Sequence, residues 1–408
     1  MHRARLSYVI YYAAVAAYAP YLQLYYGSVG ISVAWIGLLS AFSSAVAMVA
    51  APIWGSIHDR NPDNKLFIVL ASFIAAGGGL GIGTFGGTIW LVPSVAAFSI
   101  GLCGLGPMMD VRVLHMTSAD RSRYASVRVF GSFGFIVATP LIGWWIHANY
   151  VQLFVVLVPT LILAGLSSLL LPARSSTVRT GGMFKAPGVV LGHRPIAIFL
   201  AAALFGWISI SMQNPFLSLY LRSLGASSDQ VGYVWSAQAL LEVPVMVFFP
   251  LLARRYGCER LIVVGMAILV GRQAANALFT SPTILIGFSL LQGLGYGLLL
   301  VGGIAYVSQL APRGTAATAQ GILNAVTFSL ASILGAGVGG QIAGILSIRT
   351  LFAMSAVLGA ISVVLLAVAV LPGSGERLAA MRLTQVKPAP EPKPDPTDRQ
   401  VDGALTAD

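Results

Sequence analysis

The chain has 408 residues, of which 57% are apolar and only 9% are charged, and its formal net charge at pH 7 is +11. Soluble globular domains carry about a quarter charged residues, so the composition excludes a soluble protein and indicates many membrane-spanning segments. A net positive charge alone would fit a nucleic-acid partner, but the placement of the basic residues excludes one.

Apolar runs of about 20 residues, the length of helix that crosses a bilayer, recur along the chain. We therefore predict an all-α membrane protein with twelve transmembrane helices. The spans lie near residues 6–26, 34–57, 66–86, 90–110, 124–146, 150–171, 196–221, 230–253, 261–279, 283–309, 316–345 and 350–371.

The basic residues follow the positive-inside pattern. If the N-terminus is cytoplasmic, 20 of the 24 Lys and Arg residues fall in cytoplasmic segments, and the exceptions are Arg222, Arg349, Arg128 and Arg272. Basicity here sets topology and gives no reason to expect nucleic acid. We expect a multi-pass protein of the cytoplasmic (inner) membrane, with both termini in the cytoplasm.

Two segments between and after the spans differ in composition from the rest. We assign residues 172–195 to a basic cytoplasmic linker, and residues 372–408, which are rich in Pro and charge, to a disordered tail. The two cysteines, Cys103 and Cys258, lie in different environments and predict neither a disulfide nor a metal site. The histidines at span ends, such as His58, are expected to be solvated.

An internal repeat divides the chain into two parts. At an offset of 195 residues, the stretch from Ala19 (APYLQLYYG) aligns with the stretch from Asn214 (NPFLSLYLR), and the match extends to Gly37 and Gly232. The repeat predicts two parallel six-helix halves, residues 1–171 and 196–371, with a substrate site between them. Because span 1 has a counterpart in span 7, the first 20 residues are not a cleaved signal peptide.

The segment GSIHDRNPDNK, which joins spans 2 and 3, resembles the signature of the major facilitator superfamily. The match holds Gly55, Asp59 and Arg60 but departs at residues 61–64. The resemblance implies a secondary transporter with alternating access, and it assigns these three residues to a cytoplasmic gate.

Asp110 and Arg128 flank the loop between spans 4 and 5 and lie 18 residues apart. From spacing alone, charges at helix ends are the better interpretation. However, YASVRVFGSFGF resembles the start of helix 5 in the lactose permease and phenylpropionate permease groups. That resemblance implies that Asp110, Arg128 and Phe135 bind substrate. Phe135 stands where lactose permease has Trp, so lactose itself is not the expected substrate.

Spans 8 and 9 hold Glu242 and Arg272, each 15 residues from Gly257, where the chain turns. Both side chains should lie about 20 Å from that turn, at one level of the membrane. We predict that they are in contact and that Glu242 carries a proton under the influence of Arg272. A permanent salt bridge between the helices is the alternative. The stretch QVGYVWSAQALLEVPV resembles helix 8 of phenylpropionate permease and the nucleoside:proton symporters, which place a Glu at this position.

Further polar residues are candidates for substrate binding. Gln213 and Asn214 precede the helix-breaking Pro215 and are expected either to line a cavity or to hydrogen-bond between helices. Gln238 lies one turn before Glu242 on the same face. Tyr296 and Asn324 complete the set, and TAATAQGILNAV resembles helix 11 of the same branch.

Taken together, these features predict a proton-coupled symporter of a small polar organic solute, a sugar, nucleoside or aromatic acid. The chain is expected to be a monomer without a cofactor or metal. No phosphate-binding loop and no nucleophile–base pair occurs in the sequence, so neither ATP-driven transport nor an enzyme is expected. A proton-driven drug or metabolite exporter is the first alternative, since residues 139–143 faintly resemble an antiporter motif; a non-transporting membrane sensor is the second.

Overall fold

The computed structural model describes residues 1–61, 64–116, 121–171, 187–312 and 315–371. The first six long helices are α1 (His2–Ser28), α2 (Val33–Arg60), α3 (Leu66–Phe85), α4 (Leu91–Met116), α5 (Arg121–Ile146) and α6 (Leu153–Ser168). A 3-10 turn, Tyr150–Gln152, leads into α6. The short helix α7 (Pro187–Leu191) precedes the second set.

The second set begins with span 7, which consists of α8 (Arg194–Gln213) and α9 (Leu217–Ser223). Then follow α10 (Ser228–Tyr256), α11 (Cys258–Leu278) and α12 (Pro282–Leu310). Span 11 comprises α13 (Ala316–Asn324), a π-helical segment (Ala325–Leu330) and α14 (Ala331–Ile345), and α15 (Ile348–Val370) ends the bundle. The described residues form helices and connecting turns, as an all-α fold requires.

Local sequence explains where several helices start and stop. Ser227 and Gln230 form a capping box at the start of α10, each satisfying a free backbone N–H of the first turn. The same helix ends at Gly257, whose φ of +85° favours glycine. Span 7 breaks after Gln213 because Pro215 lacks the N–H that a continuous helix needs.

Within the described residues, eleven helices are long and apolar enough to cross a membrane. The remaining long helix, α1, has 27 residues and carries seven tyrosines, which lower its hydropathy. It packs against α5 and α6 inside the bundle, so the fold has twelve long helical spans, as predicted. The linker 172–195 lies outside the described residues except for α7 and the start of α8, and the tail 372–408 lies wholly outside them.

The two six-helix halves meet at the end of the bundle opposite the start of α1 and the end of α15, which mark the side of the termini. There α2 approaches α14 so closely that a Cβ added to Gly37 would lie 2.5 Å from the Cα of Gly340. On the other side of the interface, a Cβ on Gly232 of α10 would lie 2.6 Å from the Cα of Pro140 in α5. Glycine is needed at both positions because any side chain would separate the helices.

Hydrogen bonds reinforce this closed end. The hydroxyl of Tyr21, on α1, donates to the carbonyl of Thr139 at 2.7 Å and approaches the carbonyl of Ser228 at 3.3 Å. Ser236 donates to the carbonyl of Ile136 at 2.8 Å, which ties α10 to α5. The far end of the bundle is therefore shut.

Two basic side chains near helix ends are buried, and one of them, His58, was expected to be solvated. His58 near the end of α2 is 2% exposed, and so is Arg112 near the end of α4. Both have interaction partners in the folded chain. The expectation of a solvated His58 was wrong because its helix face turns toward the interior of the bundle.

Candidate functional site

A cavity of about 310 Å³ lies between the two halves. Its walls come from α1, α2 and α4 of the first half and from span 7, α10 and α14 of the second. The polar groups and aromatic rings that line it are Tyr18, Gln23, Tyr26, Ser40, Ser43, Ser44, Phe98, Ser211, Asn214, Trp235 and Ser332. Pockets for small molecules commonly have this position and begin at about this size.

The cavity wall offers uncharged hydrogen-bonding groups beside flat aromatic surfaces. Asn214 is exposed and Gln23 is half-buried, and neither side-chain amide is hydrogen-bonded to another described residue. Ser43 shares a hydrogen bond of 2.6 Å with Ser99, while the Trp235 indole donates to Ser218 at 3.1 Å. Such hydroxyl and amide groups suit a solute that carries several hydroxyls.

The described residues that line the cavity are all uncharged. The nearest charged layer lies closer to the termini: Asp110 is eight residues, about 12 Å, beyond the lining residue Leu102 along α4. Solvent reaches this layer, since the Arg128 and Asp110 side chains are 33% and 40% exposed. The bundle interior thus has a neutral closed end and a charged, accessible layer.

Asp110 and Arg128 form the ion pair of the charged layer. Arg128 Nε lies 3.8 Å from Asp110 Oδ1, and the same carboxylate oxygen accepts a hydrogen bond of 2.5 Å from the Tyr8 hydroxyl. The Arg128 guanidinium also lies 4.5 Å from the ring centroid of Tyr12, within cation–π distance. Helices α1, α4 and α5 therefore meet at one polar cluster.

Glu242 faces the same layer from the second half. It is half-buried on α10, which packs antiparallel to α5 with Ser236 beside Ile136 and Gly232 beside Pro140. The same register places Glu242 at the level of Phe130 of α5, close to Arg128 along the helix. The Glu242 carboxylate of the second half and the Arg128 guanidinium of the first half thus both lie in the interior between the halves.

Comparisons with known proteins identify the family. The family model described as "MFS_1 like family" matches residues 2–354. The chain belongs to the major facilitator superfamily. Members of that superfamily are transporters, not enzymes, and the structure of this transporter is a multi-pass bundle of the expected kind.

Relatives of this transporter fall into two functional kinds by name. The maltose permease of Geobacillus stearothermophilus is 26% identical over 330 residues, covering 79% of this chain and 82% of the relative. The multi-drug resistance efflux pump PmrA homolog of Lactococcus lactis is 25% identical over 354 residues, covering 81% and 84%. A sugar permease and a drug efflux pump are thus both represented among similar sequences.

Solved structures show the same fold. A mutant form of the nucleoside transporter NupG superposes with a TM-score of 0.82 at 15% identity, covering 90% of this chain and 98% of that one. A bacterial homolog of the human lysosomal transporter Spinster, in an inward-facing and unoccupied conformation, superposes with a TM-score of 0.69 at 14% identity, covering 90% and 95%. At such identities the likeness concerns the fold alone.

The expected contact between Glu242 and Arg272 is absent from the part of the chain that the structure describes, and that prediction was wrong. Arg272 is 3% exposed and donates from Nη1 to Gln213 Oε1 at 3.3 Å. The two helices do lie next to each other in sequence, but α10 packs mainly against α12 and α5, whereas α11 packs against α12 and α15. Arg272 therefore points toward span 7 and away from Glu242.

Gln213 and Asn214 separate into two roles. Gln213 is 1% exposed and hydrogen-bonds between helices, so the expectation that it binds substrate in the cavity does not hold. Asn214, the next residue, lines the cavity as expected. The helix break at Pro215 turns the two side chains in different directions.

The other candidates have different surroundings. Phe135 is half-buried against the core and lies outside the cavity lining. Gln238 is half-buried, and its Nε2 lacks a hydrogen-bond partner among the described residues. The Tyr296 ring contacts Trp207 with centroids 5.4 Å apart. Asn324 is exposed at the last residue of α13, where the π-helical segment begins.

The three expected gate residues end α2 on the side of the termini. Asp59 and Arg60 are exposed, and a Cβ on Gly55 would meet open space. This side of the interface is therefore not tightly packed around them. A gate role for Gly55, Asp59 and Arg60 remains a proposal.

Several cavity residues were not predicted from the sequence. They are the tyrosines of α1, the serines of α2 and Trp235 of α10. Ser40, Ser43 and Ser44 have the i, i+3, i+4 spacing that places them on one helix face, so the signal was present in the sequence. The tyrosine-rich first span carried a similar signal.

Proposed function

We propose that this transporter is a proton-coupled symporter of a neutral solute with several hydroxyl groups, of the sugar or nucleoside class. The observation that carries the proposal is the chemistry of the cavity, whose lining combines serine hydroxyls, free amides and aromatic rings without a charge. An aromatic acid would need a cation beside it, and the described residues that line the cavity carry no charge. The maltose permease and the nucleoside transporter NupG, named for such solutes, support this choice.

Glu242 is the proposed proton carrier, with Arg128 as its partner in place of Arg272. A guanidinium nearby favours an ionised carboxylate, while burial away from it favours the protonated form. Arg128 belongs to α5 and Glu242 to α10, so rearrangement of the two halves would change their separation. Protonation of Glu242 would thereby be linked to which side of the bundle is open.

The proposed orientation places both termini in the cytoplasm of a cell whose inner membrane holds the protein. The closed end at Gly37 and Gly340 then faces outward, and the described conformation is inward-open. The halves 1–171 and 196–371, joined by the linker 172–195, would rock about the cavity as a monomer. The Asp59–Arg60 segment would close the cytoplasmic side in the opposite conformation.

A proton-driven exporter is the second candidate, because proteins named for efflux occur among the relatives. The residues of its faint motif pack at the closed end: Pro140 lies against Gly232, and Gly143 lies against Ser228 and Tyr21. This packing accounts for their small size without an antiport role. Symport is therefore the first proposal.

Uptake into proteoliposomes separates the possibilities. An imposed gradient, acid outside, should drive accumulation of labelled maltose or uridine and should be abolished by a protonophore. Accumulation of ethidium into vesicles with an acidic lumen, with no uptake of either solute, would instead support the exporter. Movement of none of the three compounds would contradict both.

A further inference from the structure

Arg272 is a buried charge that the proposed transport mechanism leaves without a role. It is 3% exposed in the middle of α11, and within the described ranges it forms no ion pair with an acidic residue. Its Nε is buried without a hydrogen-bond partner. An arginine cannot lose its proton in a protein, so a buried guanidinium is retained at a cost.

The contacts of Arg272 lead to the break in span 7. Gln213 Oε1 accepts hydrogen bonds from Arg272 Nη1 at 3.3 Å and from Asn276 Nδ2 at 3.4 Å. Gln213 Nε2 donates to Ser355 Oγ on α15 at 2.6 Å. One side chain is thus held from two helices, and all four residues are at most 3% exposed.

Gln213 is also the last residue of α8. The C-terminal end of a helix carries a partial negative charge, which favours a cation placed beside it. This accounts for a guanidinium that has no carboxylate partner. It also explains why the arginine lies at this level of the bundle.

The backbone of span 7 lacks a regular helical hydrogen bond at this break, so a side-chain contact that holds it is needed here. Pro215 has no N–H, so the normal helical hydrogen bond to the carbonyl of Ser211 cannot form. The turn is closed by the Phe216 N–H, which donates to the Gln213 carbonyl at 2.9 Å. Asn214 lies inside this turn and is exposed in the cavity wall.

We infer that Arg272 is a positioning residue, which fixes Gln213 so that the following residue, Asn214, is presented to the cavity. Arg272, Asn276 and Ser355 contact Gln213 on the side of span 7 that faces α11 and α15. The solute would contact Asn214 on the side that faces the cavity. That Asn214 binds a solute rests on the proposed function. Its position in the cavity wall does not depend on that function.

A labelling experiment tests the position alone. In the full-length purified protein carrying Cys103→Ala and Cys258→Ala, Asn214→Cys provides a cavity thiol whose rate of reaction with N-ethylmaleimide is measured. Adding Arg272→Met should change that rate at least about threefold. Loss of one hydrogen bond shifts a local conformational equilibrium by about this factor, and the exposure of the thiol shifts with it. Arg272→Lys, which keeps a donor and the charge, should stay close to the parent rate.

A second variant and a control keep the test decisive. Asn276→Ala, which removes the other donor to Gln213, should shift the rate in the same direction even if Arg272→Met does not fold. Ser44→Cys, a thiol in the same cavity wall on α2, should react at the same rate with or without Arg272→Met. An unchanged Asn214→Cys rate in both variants, or an equal change at Ser44→Cys, would overturn the inference. Because the assay uses neither solute nor gradient, its result is independent of whether symport occurs.

Discussion

Arg128 Nε lies 3.8 Å from Asp110 Oδ1, and both residues belong to the first half of the transporter. The Tyr8 hydroxyl donates to the same carboxylate oxygen, so the acid has a neutral and a charged partner. Glu242 comes from the other half, on α10, which packs antiparallel to the α5 helix that carries Arg128. Arg128 is thus paired with Asp110 and is also the proposed partner of Glu242.

Replacement of Asp110 distinguishes a transport role from a structural one. An ion pair with both partners about a third exposed contributes about 1 kcal/mol or less to stability. Asp110→Asn should therefore leave the melting temperature within about 3 °C of the wild type. Transport should fall roughly tenfold or more, because Asp110 holds Arg128, the proposed partner of Glu242, through a charged contact that the amide does not replace.

The matched variant for this prediction is Tyr8→Phe, which removes one hydroxyl and keeps the ion pair. Its transport defect should be smaller than that of Asp110→Asn. If Asp110→Asn lowers the melting temperature strongly while uptake per folded molecule stays normal, the pair is a helix-end contact and the transport role is wrong.

The neutral cavity predicts a defect in affinity for the solute. Asn214→Ala removes a free amide from the wall and should raise the KM for uptake about 3- to 10-fold, the range expected for one hydrogen bond, with little change in maximal rate. Gln152→Ala, which changes a half-exposed amide outside the cavity lining, is the control and should leave KM unchanged. An equal KM for Asn214→Ala and the wild type would place the solute elsewhere.

The close approach of α2 and α14 predicts a change in conformational balance. Gly37→Leu cannot fit against Gly340, so it should favour conformations that are open on the side opposite the termini. In right-side-out vesicles, a cavity thiol (Asn214→Cys in the background without Cys103 and Cys258) should then react faster with an impermeant maleimide added outside. Gly77→Leu on α3, where a side chain meets open space, is the control.

A labelling rate that Gly37→Leu does not raise above the Gly77→Leu rate would contradict the assignment of the closed end. Reaction that increases only from the luminal side of the vesicles would contradict the proposed orientation.

The sequence predicted the helices of this fold well because span length and apolar character are local properties. From the spacing of Asp110 and Arg128 alone, two charges at helix ends were the expected arrangement, whereas the structure brings their side chains together near the ends of the neighbouring helices α4 and α5. Depth along a helix follows from counting residues. These features need no knowledge of how the helices rotate.

Rotation is what the sequence could not supply for Glu242 and Arg272. Equal distances from Gly257 give equal depth, but 3.6 residues per turn mean that a small rotation sends a side chain to a different neighbour. The packing of α11 against α15 turns Arg272 toward Gln213, and the packing of α10 against α5 leaves Glu242 on the side of Arg128. The side-chain partners between helices therefore could not be predicted from the sequence, whereas the serine face of α2 could have been.

The central claim is that Glu242 carries the coupled proton, and Glu242→Gln tests it most directly because the amide keeps the shape and removes the titration. In proteoliposomes we predict that this variant loses accumulation driven by a pH gradient. Without a gradient it should still exchange labelled for unlabelled solute across the membrane, with whichever of maltose or uridine the wild type accumulates. Exchange should remain within about a few-fold of the wild-type rate, since the cavity lining is unchanged. Gradient-driven accumulation at the wild-type level in Glu242→Gln would contradict the claim.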